Sequence, residues 1–238
     1  MCHLEEGIDI TIPPDSSSGV KAFDAPSPSF EPLKQGSFTG SLEKGSPVNF
    51  YNIFINPHGN GTHTETARHI APDGPFISDT LHKSHFMARL VTADPRETAD
   101  GDRVIDKSAI DWKAFDYSNL DALIVRTLPN DLSKKTKDYT GTNPCYLDAE
   151  LVSFLSEQID HLVVDLPSVD KESDGGALAA HKAFWRPESD KRYHKTITEL
   201  VYVDSKVEDG LYLLEIQTLP LKLDVSPSRL VLFGLKEI

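Results

Sequence analysis

The sequence has no apolar run approaching the ~20 residues that a helix needs to cross a bilayer, so no membrane-spanning role is expected. It is poor in cysteine, with only Cys2 and Cys145 in 238 residues. Two thiols so far apart do not make a disulfide framework, and a reducing cytoplasm is the expected compartment. Basic residues are also scarce: Lys and Arg number 24 against 37 Asp and Glu, a net charge of −13. Such a surface repels the phosphates of nucleic acids and anionic lipids, and neither is expected as a partner. The opening residues MCHLEEGIDI show neither the basic nor the apolar segment of an export signal. The sequon Asn60-Gly61-Thr62 is therefore read as chance. Internal repeats and a Gly-rich phosphate-cradling loop are both lacking.

What is present is 39% apolar residues, enough for one sizeable core and one domain over 1–238. Alternation predicts strands at 7–13 and 48–55, then at 86–93, 120–127 and 161–166. Further strands are predicted at 199–203, 211–219 and 230–235. Residues 15–45 are rich in Pro, Ser and Gly and read as a long surface loop with room for a hairpin. Helical spacing predicts helices over 147–159 and over 174–185, the second capped by Asp174. Residues 62–70 also read as helical, with Thr62 as N-cap and Glu65 at the capping-box position. The sum is an α/β domain with a mixed β-sheet and flanking helices.

Chemistry concentrates in NPHGNGTHTETARHI, residues 56–70. His58, His63, Glu65 and His69 crowd together there. Imidazole nitrogen and carboxylate oxygen are the donors that zinc and manganese take, and a catalytic ion keeps positions open for water. Gly59 and Gly61 permit a tight backbone between them. Glu65 and His69, at i and i+4, could share one side of a helix. His82 and His85 lack a carboxylate alongside and read as a surface turn. His3, His161 and His194 have no evident partner. Asp165 and Asp170 are read either as acceptors that orient a ligand imidazole or as loop caps at a strand end.

The stretch resembles the cyclase family, which includes the bacterial kynurenine formamidases and whose motif is His-x-Gly-Thr-His-x-Asp-x-x-x-His. Gly61, Thr62, His63, Glu65 and His69 fall in register with its second half. Asp165-Leu-Pro-Ser-Val-Asp170, Ala180-His181, Thr198-Glu199-Leu200, Leu219-Pro-Leu-Lys-Leu223 and Ser226-Pro227 extend the resemblance. It runs from about Ile8 to Leu232. Four departures mark a divergent branch. His58 lies one residue further from His63 than in the family, and Glu65 stands in place of Asp. Thr66-Ala67-Arg68 stands near the family's Ala-Pro, and the stretch from His181 to Glu199 is longer and strongly charged.

The resemblance implies the swivelling β/β/α fold and a metal-dependent hydrolase of arylformamidase type. It implies one or two divalent ions per subunit, Zn or Mn. His58, His63 and Glu65 would hold one, and Glu65, His181 and Glu199 a second, with Glu65 as the bridge. Two such ions polarise a carbonyl and acidify a bound water. His69 would be the general acid/base, or alternatively a further metal ligand. The expected substrate is a small amide, formamide or lactone, formylkynurenine among the candidates. Phe23, Phe30, Tyr51 and Phe54 are candidates for contacting its ring. The resemblance also implies a homo-oligomer, a dimer or tetramer. Two other readings stand beside this one: a metal-binding member that has lost catalysis, and a metal-dependent cyclase or dehydratase.

Overall fold

The apolar alternation along the chain pairs its strands into one large sheet that closes on itself. In the computed structural model, which describes residues 6–235, the sheet order begins Ile8–Asp9, Val225–Gly234, Gly210–Thr218, His85–Ala93. It continues Ala122–Thr127, His161–Val164, Thr196–Glu199, His63–Thr66. The strand His63–Thr66 pairs antiparallel with both Thr196–Glu199 and Val225–Gly234. That double pairing closes seven strands into a ring, with Ile8–Asp9 added outside against Val225–Gly234. Strands from His85–Ala93 through Thr196–Glu199 are mutually parallel, and the remaining pairings of the ring are antiparallel. Closure satisfies the backbone groups that an open edge would expose.

Period-two alternation sorts the side chains into two cores. Phe86, Leu90, Ile124, Val163, Leu214 and Leu232 pack together inside the ring. Val91, Leu123, Val125, Leu162, Val164 and Ile197 point the other way and belong to a second cluster. Two α-helices of seven residues each, Ala149–Leu155 and Ala179–Trp185, cover that second face. They supply Leu151, Val152, Leu155, Phe184 and Trp185 to it. The flanking helices read from the sequence therefore reduce to this short pair. Helical spacing had extended the first over 147–159; Asp148 caps it by accepting from the Glu150 and Leu151 amides. The second starts five residues after Asp174, because Gly175, Gly176 and Leu178 take positive φ. Asp174 instead closes that turn by accepting from the Gly176 and Leu178 amides.

The helical reading of 62–70 is wrong. His63–Thr66 is a strand, followed by a 3-10 turn over Ala67–His69. Thr62, Thr64 and Thr66 alternate, and β-branched residues suit a strand flanked by partners on both sides. Thr62 is no helix cap: its hydroxyl accepts from the Ile12 amide and donates to the Leu200 carbonyl. Residues 15–45 are more structured than a plain loop. Ser29–Pro32 pairs with Tyr51–Phe54, the part of 48–55 that is strand, and Lys34–Gln35 pairs with Phe38–Thr39. The strand placed at 199–203 lies at Thr196–Glu199, and 230–235 is the tail of Val225–Gly234.

Asn60 is buried, with its side-chain oxygen and nitrogen bonded to the Asn56 amide and the Pro26 carbonyl, so the sequon is closed to modification. Cys145 is a buried free thiol whose pKa burial pushes up to about 12; Cys2 and His3 lie outside the described residues. No described helix is long and apolar enough to cross a membrane.

Trp185 anchors the second helix. It is fully buried, its indole N–H donates to the Lys195 carbonyl, and its ring lies 5.5 Å from that of His181. Trp185→Ala is expected to cost about 3–5 kcal/mol of unfolding free energy, measurable by urea titration. A loss under 1 kcal/mol, on the scale of an ordinary surface change, would mean that the helix is held elsewhere.

Candidate functional site

The strand His63–Thr66 divides its side chains by face. Thr64 turns into the ring, where its hydroxyl meets those of Thr198 and Ser228 at 2.7 and 2.9 Å. His63 and Glu65, two residues apart, share the opposite face, and His63 stands in register with Glu199 on the neighbouring strand. The helix Ala179–Trp185 lays His181 over that face. The turn at 56–60 brings in His58, and the 3-10 turn brings in His69. Two glycines make the approach possible. A Cβ at Gly59 would come within 2.4 Å of the Ala25 methyl, and Gly61 has φ +154° with the Ile12 carbonyl 2.7 Å from where its Cβ would lie. The extra residue between His58 and His63 is absorbed in this turn.

All six residues singled out from the sequence meet around one carboxylate. Glu65 is completely buried. Its Oε1 lies 2.9 Å from His181 Nε2, and its Oε2 lies 3.3 Å from His58 Nδ1 and 3.8 Å from His69 Nδ1. His63 Nε2 stands 3.3 Å from Glu199 Oε2, and His181 Nε2 stands 3.8 Å from Glu199 Oε1. Several groups outside the cluster orient it. His63 Nδ1 lies 3.0 Å from the Gly61 carbonyl, and His181 Nδ1 lies against Asp170. Asp170 also accepts from the Ala180 and His181 amides, capping the helix that carries the ring. Glu199 accepts from the Val169 amide.

The charges couple strongly. Burial disfavours the charged His58 ring, but the carboxylates of Asp224 and Glu65 outweigh it and raise the pKa to about 10. Burial likewise opposes a charged His181, and Glu65 and Asp170 raise its pKa well above the usual value. Desolvation would push the Glu65 pKa up; His181 and His69 overcome it and hold the carboxyl well below the usual range.

The donor set fits a divalent cation. His63 Nε2 and Glu65 Oε2 are buried without a hydrogen-bond partner, which is uncommon for native polar atoms and calls for an explanation such as an ion. Two donor sets are close enough to hold one: His58, Glu65 and His69, and His63, Glu65 and Glu199. Glu65 belongs to both. Beside them opens a cavity of about 370 Å³ lined by Phe23, His58, His69, Asp170, Leu178 and Glu199, among others. Of the aromatic candidates, Phe23 reaches this cavity. Phe30, Tyr51 and Phe54 lie on the outer hairpin, exposed and away from it.

Asp165 is remote from the cluster: it is buried against Thr127 and the Lys134 ammonium. His161 is neutralised by burial to about 4 and sits 2.8 Å from the Thr196 hydroxyl, while His194 lies 3.3 Å from Asp160. His85 faces Glu215 at 3.8 Å, outside the site. Asp224 went unnoticed in the sequence. Its Oδ2 lies 3.0 Å from His58 Nε2 and 3.3 Å from His69 Nδ1. Nothing in its local sequence marks it; only the pairing of strands 63–66 and 225–234 places it there.

A family model described as Putative cyclase matches residues 8–171. No curated protein matches the chain. Among solved structures, the chain is similar to a potential metal-dependent hydrolase with cyclase activity, at TM-score 0.69 and 15% identity, covering 98% of this chain and 99% of that one. It is similar to a predicted metal-dependent hydrolase from Bacillus stearothermophilus, at TM-score 0.65 and 18% identity, covering 96% and 98%. Isatin hydrolase A from Labrenzia aggregata, bound to benzyl benzoate, gives TM-score 0.69 and 15% identity over 96% and 93%.

The shifted groups predict how the metal-free protein responds to pH. His58 is raised on folding, so its contribution is complete below 6.5 and is lost as pH rises through about 10. Glu65 is lowered, so its contribution is present above 4.5 and is lost on acidification. Thermal unfolding of metal-stripped protein should therefore show Tm falling on both sides of the neutral range. A Tm that climbs steadily through pH 10 would contradict this charge arrangement.

Proposed function

The chain belongs to the cyclase family, and on that premise we propose that it is a metal-dependent hydrolase of a small amide, formamide or lactone. The observation that carries the proposal is the pair of unpartnered buried atoms, His63 Nε2 and Glu65 Oε2, inside a cluster of imidazoles and carboxylates. His58, His63, Glu65, His181 and Glu199 would hold one or two ions, zinc or manganese. The expected grouping puts His58, His63 and Glu65 on one ion and Glu65, His181 and Glu199 on a second, whereas the donor atoms closest together are those of His58, Glu65 and His69 and of His63, Glu65 and Glu199. An ion bound there supplies Lewis acidity, polarising the substrate carbonyl and lowering the pKa of water.

The remaining work falls to the side chains. Glu65 sits between the two donor sets and would balance the charge of both. The Gly61 carbonyl and Asp170 each accept from the outer nitrogen of one imidazole, turning the inner nitrogen of His63 and of His181 toward Glu199 and Glu65, where a deprotonated ring would offer its lone pair to an ion. His69 differs from these two. Its Nδ1 faces the carboxylates, its ring lines the cavity, and its Nε2 has no protein hydrogen bond among the described residues. This arrangement supports a role in carrying a proton to the leaving group at Nε2. Phe23 and Leu178 give the cavity an apolar wall, suited to a compact carbonyl compound with a ring. Isatin, acted on by a structural neighbour of this chain, is a cyclic amide of that kind, and formylkynurenine is an open-chain one. The proposal includes a homo-oligomer, a dimer or tetramer. The paired strands Ser29–Pro32 and Tyr51–Phe54 expose Phe30, Tyr51 and Ile53 on one face, an apolar surface of the sort that partners cover.

Ion content by elemental analysis, paired with turnover of a panel of formamides, cyclic amides and lactones, tests this reading. Glu65→Gln is expected to lose bound metal. His69→Ala is expected to keep the metal and lose about 10²–10⁴-fold in rate, the usual worth of a placed acid/base. Full activity in His69→Ala would remove its proton-transfer role. A wild-type protein that takes up neither zinc nor manganese would sink the proposal.

A further inference from the structure

Asp224 reaches the cluster from the residue preceding the strand Val225–Gly234. Its backbone is fixed to the strand that bears Glu65: the Asp224 carbonyl accepts from the Thr66 amide at 2.9 Å, and Val225 stands in register with Glu65. The distance between the two carboxylates is therefore set by sheet pairing rather than by a flexible loop. One oxygen, Oδ2, meets two imidazoles, at 3.0 Å from His58 Nε2 and 3.3 Å from His69 Nδ1. A hydrogen bond at one ring nitrogen decides which nitrogen is left with a lone pair. Contact at His58 Nε2 leaves Nδ1, which lies 3.3 Å from Glu65 Oε2. Contact at His69 Nδ1 leaves Nε2 for the cavity. The Gly61 carbonyl does this service for His63 and Asp170 does it for His181. Asp224 does it for two rings at once.

We propose that Asp224 is a positioning residue that fixes His58 with Nδ1 toward the metal and His69 with Nε2 toward the substrate. Metal capture and proton transfer are thereby coupled through one carboxylate oxygen. The roles of the two rings rest on the metal-hydrolase reading; their orientation does not.

The test uses Asp224→Ala and Asp224→Asn in the full chain. Long-range ¹H–¹⁵N correlation spectra of zinc-loaded protein should show His69 as the Nδ1–H tautomer in the wild type. In Asp224→Ala it should revert to the Nε2–H tautomer that an unconstrained histidine side chain prefers. Zinc affinity, from competition with a chelating dye, should fall about 10–100-fold in Asp224→Ala, the usual cost of losing the partner of a metal-bound histidine. Asp224→Asn keeps the shape and one acceptor oxygen, and should fall in between. An unchanged His69 tautomer or an unchanged zinc affinity in Asp224→Ala overturns the proposal. If the wild type takes up neither zinc nor manganese, the metal-hydrolase reading fails instead. The His69 tautomer in metal-free protein at alkaline pH then decides the Asp224 assignment alone.

Discussion

A carboxylate with no exposure to water governs this molecule. An unpaired ionised group in a protein interior costs several kcal/mol even after relaxation, so Glu65 demands positive charge around it. Imidazoles gather on both of its oxygens: His181 on one side, His58 and His69 on the other. Protonated imidazoles satisfy that demand in the metal-free chain, and a bound cation would satisfy it in their place. The exchange of one for the other is built into the same atoms, because a histidine must give up its proton to act as a ligand. His63 Nε2 and Glu65 Oε2 make no well-formed hydrogen bond and rest on imidazole–carboxylate contacts of 3.3 Å, an arrangement that a cation would complete.

The fold serves this constraint. A strand paired on both sides can hold two side chains on one face at fixed spacing, and His63–Thr66 is such a strand. Its other face carries Thr64, whose hydroxyl meets those of Thr198 and Ser228 inside the ring, so the strand cannot slip by one residue without burying an imidazole and a carboxylate among aliphatic side chains. The short helix Ala179–Trp185 delivers one ring, His181, and its last two residues, Phe184 and Trp185, bury themselves to hold it in place. Asp170 joins the two functions by capping the helix and gripping the imidazole it carries.

Local pattern misled at the centre for a physical reason. Residues 62–70 hold too few apolar positions for periodicity to speak, and Thr62 with Glu65 three residues on imitates a helix cap. The β-branched threonines were the better guide, but the choice was made by two neighbouring strands that lie far away in the chain, Thr196–Glu199 and Val225–Gly234. The helix read from 174 failed more simply, since Gly175 and Gly176 take positive φ and the chain must turn before it can coil. The long strands at 85–93, 122–127 and 210–218 were legible because burial on one or both faces imposes a clear run or alternation.

The sequence by itself determined the kind of chemistry available: three imidazoles and a carboxylate in one short stretch, with His181 and Glu199 further along, are donors of the type that divalent cations take, whatever the backbone does between them. Tertiary structure decided the geometry. It set which oxygen of Glu65 faces which ring and closed the sheet so that residues 63 and 199 stand side by side. It also brought in Asp224, whose neighbours along the chain say nothing of its place. Donor type is a property of single side chains and survives in the one-letter code. Convergence depends on pairings between strands more than 100 residues apart, which no local pattern records.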